Sequence, residues 1–188
     1  MYDIKENISN VEGEALEGTI IDLETVGPIH DGFKGTERYK EVKPYLFGYL
    51  TGNVVIQKYV EKYDHIPVLL NFIREENFGD FLKPLYAFFV EFETGVIYCS
   101  TGRKLLFDRE LKEGKGSKED QVKKFGISNY DDPFPGQGVK LIEEFKKGNI
   151  VDCLRHNRAC LLKERDIFFE RGFVSPPQID FHQIRGCR

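Results

Sequence analysis

Blocks of apolar residues along this chain predict strands first and helices later. Three short runs rich in β-branched and aromatic residues, at 18–27, 45–50 and 54–60, are separated by turn residues and predict an antiparallel meander of strands. An almost continuous apolar run at 85–90 predicts a strand that is covered on both faces. Together these runs predict a central mixed sheet with an antiparallel part and a parallel part.

Apolar residues at helical spacing follow the predicted strands. Residues 66–75 have proline just inside the start of the pattern, 139–147 are amphipathic and stop at a glycine, and a last helix is predicted over about 150–170. Residues 96–99 fit either an extended strand or the start of a helix, and the pattern leaves both open. The predicted fold class is therefore α/β, with a mixed sheet flanked by helices.

The length of 188 residues predicts one domain with a sizeable core. We expect an irregular lead-in at 1–17, a single domain at 18–174 and an extended tail at 175–188. The charged, glycine-bearing segment 112–124 predicts a solvated loop.

Composition narrows the class of protein. A hydrophobic fraction of 40% and a charged fraction of 31% are typical of globular proteins rather than of disordered chains or membrane spans. The net charge of -4 provides no overall basic field, so nucleic-acid binding would need a local patch. No apolar run reaches membrane length, and the first residues do not resemble a signal peptide, so we expect a cytoplasmic protein with no membrane partner.

Two carboxylates lie near the end of the first predicted strand. Asp22 and Glu24 are separated by one residue, so they lie on the same face of the strand. Two adjacent acids repel each other unless a cation lies between them, and carboxylate oxygens favour Mg²⁺ or Mn²⁺. The alternative interpretation is an edge strand with two solvated acids.

Three blocks of the sequence carry a resemblance to a known family. The first is the Asp-x-Glu-Thr motif within 20–25, the second is the aromatic and acidic block 86–93, and the third extends over 138–160. In this order they resemble the DEDD 3′→5′ exonucleases of the ribonuclease-H-like superfamily, in the branch similar to family B DNA polymerase proofreading domains. The resemblance covers roughly residues 18 to 170.

The resemblance implies a ribonuclease-H-like fold and hydrolysis of DNA or RNA from a single-stranded 3′ end. In that family four carboxylates hold two divalent ions, which clamp the attacking and leaving oxygens of a phosphodiester. Two ions of Mg²⁺ or Mn²⁺ are therefore implied as cofactors. By position, Asp22 and Glu24 match the first two acids, and Glu93 stands where an aspartate is expected as the third. His156 stands where a water-orienting tyrosine is expected, and Cys160 occupies the place of the fourth acid.

Two of these positions depart from the family pattern. Glu93 is one methylene longer than aspartate, and the Cys160 thiol is a soft ligand that Mg²⁺ does not favour. Two acids one helical turn away, Asp152 before His156 and Glu164 after Cys160, are candidate substitutes for the fourth acid.

A zinc site is an alternative for the same helix. Cys153, His156 and Cys160 lie at i, i+3 and i+7, and His182 or Cys187 from the tail could complete four ligands. The competing interpretation, which we favour, is that both helical cysteines are small core residues, because zinc sites usually show short paired spacings.

Three functional hypotheses follow. The favoured one is a metal-dependent 3′→5′ exonuclease, because three of the four acidic positions remain carboxylates. The second is a catalytically weakened or inactive module that binds nucleic acid or a protein partner without cutting. The third is a zinc-stabilised structural protein.

Overall fold

A six-stranded mixed sheet forms the centre of the molecule in the computed structural model, which describes residues 4–181. The strands in chain order are β1 (Lys5–Asn10), β2 (Leu16–Val26), β3 (Lys43–Gly52), β4 (Val54–Tyr59), β5 (Leu85–Ala87) and β6 (Arg109–Glu110). Their order across the sheet is β1-β4-β3-β2-β5-β6. The β1/β4, β4/β3 and β3/β2 pairs are antiparallel, whereas β2/β5 and β5/β6 are parallel.

Helices cover both faces of this sheet. They are α1 (Ile66–Glu75), α2 (Val90–Thr101), α3 (Lys118–Phe125), α4 (Gly138–Lys146) and α5 (Ile150–Arg171). Three short 3-10 helices accompany them at Gly35–Tyr39, Tyr63–His65 and Phe78–Asp80. Helices α1 and α2 contact β3, and α5 contacts β2, β3 and β4 while α3 and α4 pack against α5.

Strand β2 lies where the antiparallel and parallel parts of the sheet meet. Its neighbouring residues Ile20 and Ile21 belong to two different buried apolar clusters, as expected for side chains on opposite faces of a strand. The β2/β3 register shifts between Glu24 and Thr25, which marks a bulge or irregularity beside the two predicted acids. The end of β2 is thus both buried and locally reshaped.

Most of the predicted elements are confirmed. The antiparallel meander is formed by β2, β3 and β4, and the helices predicted at 66–75, 139–147 and 150–170 correspond to α1, α4 and α5. The ambiguous residues 96–99 belong to α2. The apolar run 85–90 forms the fully buried strand β5 over three residues only, and a bend at Phe88 and Phe89 then leads into α2.

The irregular lead-in predicted at 1–17 is wrong for its described part. Lys5–Asn10 forms β1, which pairs along the whole of β4, and β2 already begins at Leu16. The physical reason is that β4 would otherwise present an edge of unpaired backbone groups, which β1 satisfies. Its mostly exposed side chains give no apolar pattern from which the strand could be predicted.

The solvated loop predicted at 112–124 is also partly wrong. Residues from Lys118 onward form α3, and the Ser117 hydroxyl and Asp120 carboxylate form a reciprocal capping box at its start. This Ser-x-x-Asp signal is local and was readable in the sequence. A loop was predicted because the charge and glycine content of the segment were given more weight than this capping signal.

The predicted tail is described only as far as residue 181. Val174 forms an isolated bridge with Glu110, and 175–181 contain no helix or strand. His182 and Cys187, the tail ligands considered for zinc, lie outside the described residues. Among residues 4–181, no helix has the length and apolar character needed to cross a bilayer.

Candidate functional site

Three separate elements bring acidic side chains to one buried place. Asp22 and Glu24 come from the second half of β2, Glu93 from the first turn of α2, and Glu164 from α5. Their exposed fractions are 7%, 8%, 4% and 0% in that order. Buried carboxylates are rare unless they are paired, bind metal or are protonated, so this cluster needs either cations or protons.

Helix α5 contributes a polar stripe to the same place. His156, Cys160 and Glu164 are spaced four residues apart, so they follow one another along one face of the helix. All three are buried against the sheet, where a helix normally presents apolar residues.

Lys118 is the cation that the structure places within this cluster. Its Nζ lies 3.1 Å from Asp22 Oδ1 and 2.5 Å from Glu164 Oε1. Burial lowers the pKa of the Lys118 ammonium, but attraction by Asp22, Cys160 and Glu164 outweighs this, and the net pKa is raised well above its usual value. Lys118 is therefore charged and shared between two acids. Sequence reasoning placed it in a solvated loop and missed this contact.

Asp22 is also held from the helix side. Asn157 Nδ2 donates to Asp22 Oδ2 at 2.8 Å, and Asn157 Oδ1 accepts a hydrogen bond of 2.9 Å from Gln57 Nε2. Gly48 pairs with Asp22 across the sheet, and a Cβ there would lie 2.0 Å from Asn157 Oδ1. The glycine therefore lets α5 approach closely enough for Asn157 to orient the carboxylate. Neither Asn157 nor Gln57 had been singled out by sequence reasoning.

His156 is oriented by a second buried acid. Its Nδ1 lies 2.7 Å from Asp132 Oδ1, and Lys163 Nζ lies 2.5 Å from Asp132 Oδ2. Burial raises the pKa of Asp132, but the hydrogen bonds from His156 and Lys163 outweigh it and lower this pKa to about 2. For His156, burial lowers the pKa, yet Glu24 and Asp132 raise it by more.

The backbone before Asp132 adopts an unusual conformation. Tyr130 and Asp131 both have φ of 55°, a region that residues other than glycine seldom adopt. The Phe134 amide also donates to Asp132 Oδ1 at 2.8 Å. The Phe134 contact is a local aspartate turn, whereas the contacts with His156 and Lys163 come from α5, and sequence reasoning did not select Asp132 as a site residue.

The other ring nitrogen of His156 faces two further ligand atoms. Nε2 lies 3.9 Å from Glu24 Oε1 and 3.5 Å from Cys160 Sγ. One ligand atom each from Glu24, His156 and Cys160 lies within 4.8 Å of the others, so the group could hold a metal ion. Burial raises the pKa of both Glu24 and Cys160, and for Glu24 the repulsion by Asp22 adds to the effect.

Glu93 lies beside this group without a partner for one of its oxygens. Its Oε2 is buried and accepts no hydrogen bond from residues 4–181. Burial raises the pKa of Glu93, and repulsion by Asp22 and Glu164 raises it further. The pKa of Glu164 is likewise raised, chiefly by burial. The cluster thus holds more carboxylates than Lys118 can balance.

A pair of hard divalent ions does not fit this donor set as it stands. Lys118 already contacts Asp22 and Glu164, and Cys160 offers a thiol where an oxygen ligand would be needed. Glu24, His156 and Cys160 could hold a single ion, and none of the three is an ion-pair partner of the lysine.

Two other candidate ligands have different surroundings. The Asp152 carboxylate contacts Arg155 at 3.2 Å and accepts a hydrogen bond of 2.8 Å from Asn149. Cys153 is fully buried in an apolar cluster, where its Sγ contacts the Leu141 carbonyl, and burial raises its pKa to about 11. The core interpretation is therefore confirmed for Cys153, while Cys160 belongs to the polar site.

The fold and site define an α/β protein with a mixed sheet and a buried, acid-rich centre able to hold a metal ion. Comparison with protein-family models, curated proteins and solved structures found no match to this chain.

Proposed function

We propose that this protein is a metal-dependent phosphodiester hydrolase with a ribonuclease-H-like fold, acting as a 3′→5′ exonuclease on DNA or RNA. The observation that carries the proposal is the convergence of Asp22, Glu24 and Glu93 with His156 and Cys160 in one buried cluster. These residues come from β2, α2 and α5, in the order that the resemblance implies. The sheet order and the mixture of parallel and antiparallel pairs are compatible with a ribonuclease-H-like fold.

The chain's own residues support hydrolysis in three ways. Asn157 fixes Asp22, and Asp132 fixes His156 so that Nε2 points toward Glu24 and Cys160. Lys118 provides a positive charge beside them. A metal ion, when bound, would polarise a phosphoryl oxygen and activate water.

A nucleic-acid partner is supported by the surface around α3. Lys115, Lys123 and Lys124 are exposed on and before the helix that carries Lys118 into the site. Glu113 and Asp120 reduce the local positive charge. We therefore propose contact with one single-stranded end rather than with a long duplex. A cytoplasmic location stays a prediction.

A second candidate function is a module that binds nucleic acid or a protein partner without cutting. The observation in its favour is the Lys118 ion pair, because a lysine between Asp22 and Glu164 neutralises acids that a metal would otherwise bridge. The low exposure of these acids also favours it.

The test is cleavage of 3′-labelled and 5′-labelled single-stranded DNA and RNA oligonucleotides with Mg²⁺, Mn²⁺, Zn²⁺ or EDTA. We expect metal-dependent shortening from the 3′ end, and a strong reduction in Asp22→Asn because this variant loses the carboxylate that holds Lys118 beside the metal ligands. Asp152→Asn is the matched control, since it removes an acid of α5 that contacts Arg155 instead of the cluster, and it should cleave normally.

The outcomes separate the two candidates. With Mg²⁺ or Mn²⁺, Cys160→Asp restores an oxygen ligand and should raise cleavage; lower activity than the parent with these ions would contradict our assignment of that position. A gel shift without cleavage under any metal would favour the binding module. If the protein neither cuts nor binds the oligonucleotides, the nucleic-acid proposal is wrong.

A further inference from the structure

We propose that Glu24, His156 and Cys160 form a site for a single zinc-type ion, selective for Zn²⁺ over Mg²⁺. This inference is independent of nucleic-acid cleavage. It concerns which ion the centre takes and how many, and it differs from the helical stripe of Cys153, His156 and Cys160 considered from the sequence.

One separation within the group matches a tetrahedral metal, and a second is slightly longer than the ideal value. Zn–S and Zn–N bonds of ordinary length at a tetrahedral angle place the sulfur and nitrogen atoms about 3.6 Å apart. Cys160 Sγ and His156 Nε2 are separated by 3.5 Å. The same reasoning places histidine nitrogen and carboxylate oxygen about 3.4 Å apart, and the separation to Glu24 Oε1 is 3.9 Å. The third pair, Cys160 Sγ and the Glu24 carboxylate, lies within 4.8 Å, so Glu24 must move toward the other two ligands to complete the site.

The ligand types select the metal. A thiol, an imidazole and a carboxylate suit Zn²⁺ and related borderline metals, whereas Mg²⁺ requires oxygen ligands in an octahedral arrangement. Three protein ligands leave the fourth tetrahedral position for water or a small molecule.

The contact of His156 Nδ1 with Asp132 orients the ring for metal binding through Nε2. Asp132 lies 2.7 Å from His156 Nδ1 and therefore directs Nε2 toward the other two ligands. A carboxylate behind a histidine ligand is a recurrent feature of zinc sites, because it fixes the ring and strengthens the ligand. Asp132 is itself held by Lys163, which is 1% exposed.

The surrounding charges indicate one ion rather than two. Lys118 lies between Asp22 and Glu164 and supplies the cation on that side of the cluster. Glu93 retains a buried oxygen with no hydrogen-bond partner among the described residues, and it interacts electrostatically with Glu24. A cation at Glu24 would offset that excess negative charge.

The experiment measures metal in untagged full-length protein. After exposure to Zn²⁺ and Mg²⁺ together and removal of free ions, elemental analysis should find about one Zn²⁺ per chain and no retained Mg²⁺. Cys160→Ser should lose most of this zinc. Cys153→Ser is the matched control, because this buried cysteine lies on the same helix but outside the group, and it should retain the ion.

A spectroscopic measurement on the parent protein covers the case in which Cys160→Ser does not fold. Replacement of Zn²⁺ by Co²⁺ should produce a thiolate-to-cobalt charge-transfer band and the visible bands of a tetrahedral ion. Absence of bound zinc, two ions per chain, equal retention by Cys160→Ser, or cobalt spectra without a thiolate band would each overturn the proposal. A zinc-loaded protein that fails to cut nucleic acid would refute only the hydrolase.

Discussion

Two groups of buried charged residues lie next to each other in this protein, and the pKa values of their carboxylates are shifted in opposite directions. In the first, Asp132 contacts both His156 and Lys163, and its pKa is lowered to about 2. In the second, Glu24 and Glu93 are equally buried, yet their pKa values are raised. Both groups consist of carboxylates removed from water, so burial alone does not explain the opposite directions.

The difference lies in the number of partners. Asp132 has a cation or hydrogen-bond donor for each oxygen, whereas the acids around Lys118 outnumber the single lysine. A carboxylate in which every oxygen has a hydrogen-bond or ion-pair partner holds the neighbouring side chains in place. An acid-rich group gains stability from an added cation. Asp132 therefore positions His156, and Glu24 of the second group belongs to a set of residues that could hold a metal ion.

The largest expected effect on stability comes from removing the Asp132 carboxylate, whose two oxygens both have partners. Asp132→Asn leaves the Lys163 ammonium buried without its negative partner, and we expect a loss of about 3–5 kcal/mol in the free energy of unfolding. Urea unfolding measures this change. Asp64→Asn is the control, because this side chain is 70% exposed and should change stability by less than about 0.5 kcal/mol. A loss below about 1 kcal/mol for Asp132→Asn would contradict the assignment of this group.

A smaller effect is expected from removing the lysine of the acid-rich group. Lys118→Met leaves Asp22 and Glu164 facing each other, and we expect metal-free protein to lose about 2–3 kcal/mol. Added divalent ions should recover more stability in this variant than in the parent, because a second cation position becomes open.

Thermal unfolding with EDTA or with added metal measures both parts of this prediction. Lys115→Met, which removes an exposed lysine nearby, should match the parent. If metal stabilises the parent and Lys118→Met equally, Lys118 does not occupy a cation position.

The smallest effect is the pH dependence of stability. Glu24, Glu93 and Glu164 have folded pKa values above their ordinary 4.5, so their contribution is present below that pH and is lost as pH rises through the raised values. His156, raised from 6.5, acts in the same direction. Asp132, lowered from 3.8 to about 2, stabilises above 3.8 and loses this contribution as pH falls through about 2.

The metal-free protein should therefore be less stable at about pH 8 than at about pH 5. Thermal unfolding in EDTA across this range checks the sign. Bound Zn²⁺ should reduce the slope, since it replaces protons on Glu24 and Cys160. Higher stability at pH 8 in EDTA would show that the acids are paired in solution by cations of the chain itself.

Local patterns predicted much of the fold. Alternation and turn residues were sufficient for β2, β3 and β4, and helical spacing was sufficient for α1, α4 and α5. Strand β1 escaped prediction because its polar residues pair with β4 through backbone groups rather than through an apolar face. Helix α3 was not predicted, although the Ser117 capping box at its start is a sequence signal.

The residues predicted for the candidate site also include correct and incorrect predictions. Sequence reasoning selected Asp22, Glu24, Glu93, His156 and Cys160, and the structure brings these five together. Of the two proposed substitutes, Glu164 lies in the cluster, whereas Asp152 contacts Arg155.

Strand and helix periodicity are local properties, so they were sufficient to predict the α/β class and the acids on one face of a buried strand. Which cations contact those acids depends on the tertiary structure. Lys118 reaches Asp22 across 96 positions of the chain, and Asn157 reaches it across 135. Contacts over such separations depend on how helices pack against the sheet. The local spacing of apolar and polar residues carries no information about that packing. The balance of charge at the site, and with it the choice of ion, is therefore a property of the folded chain.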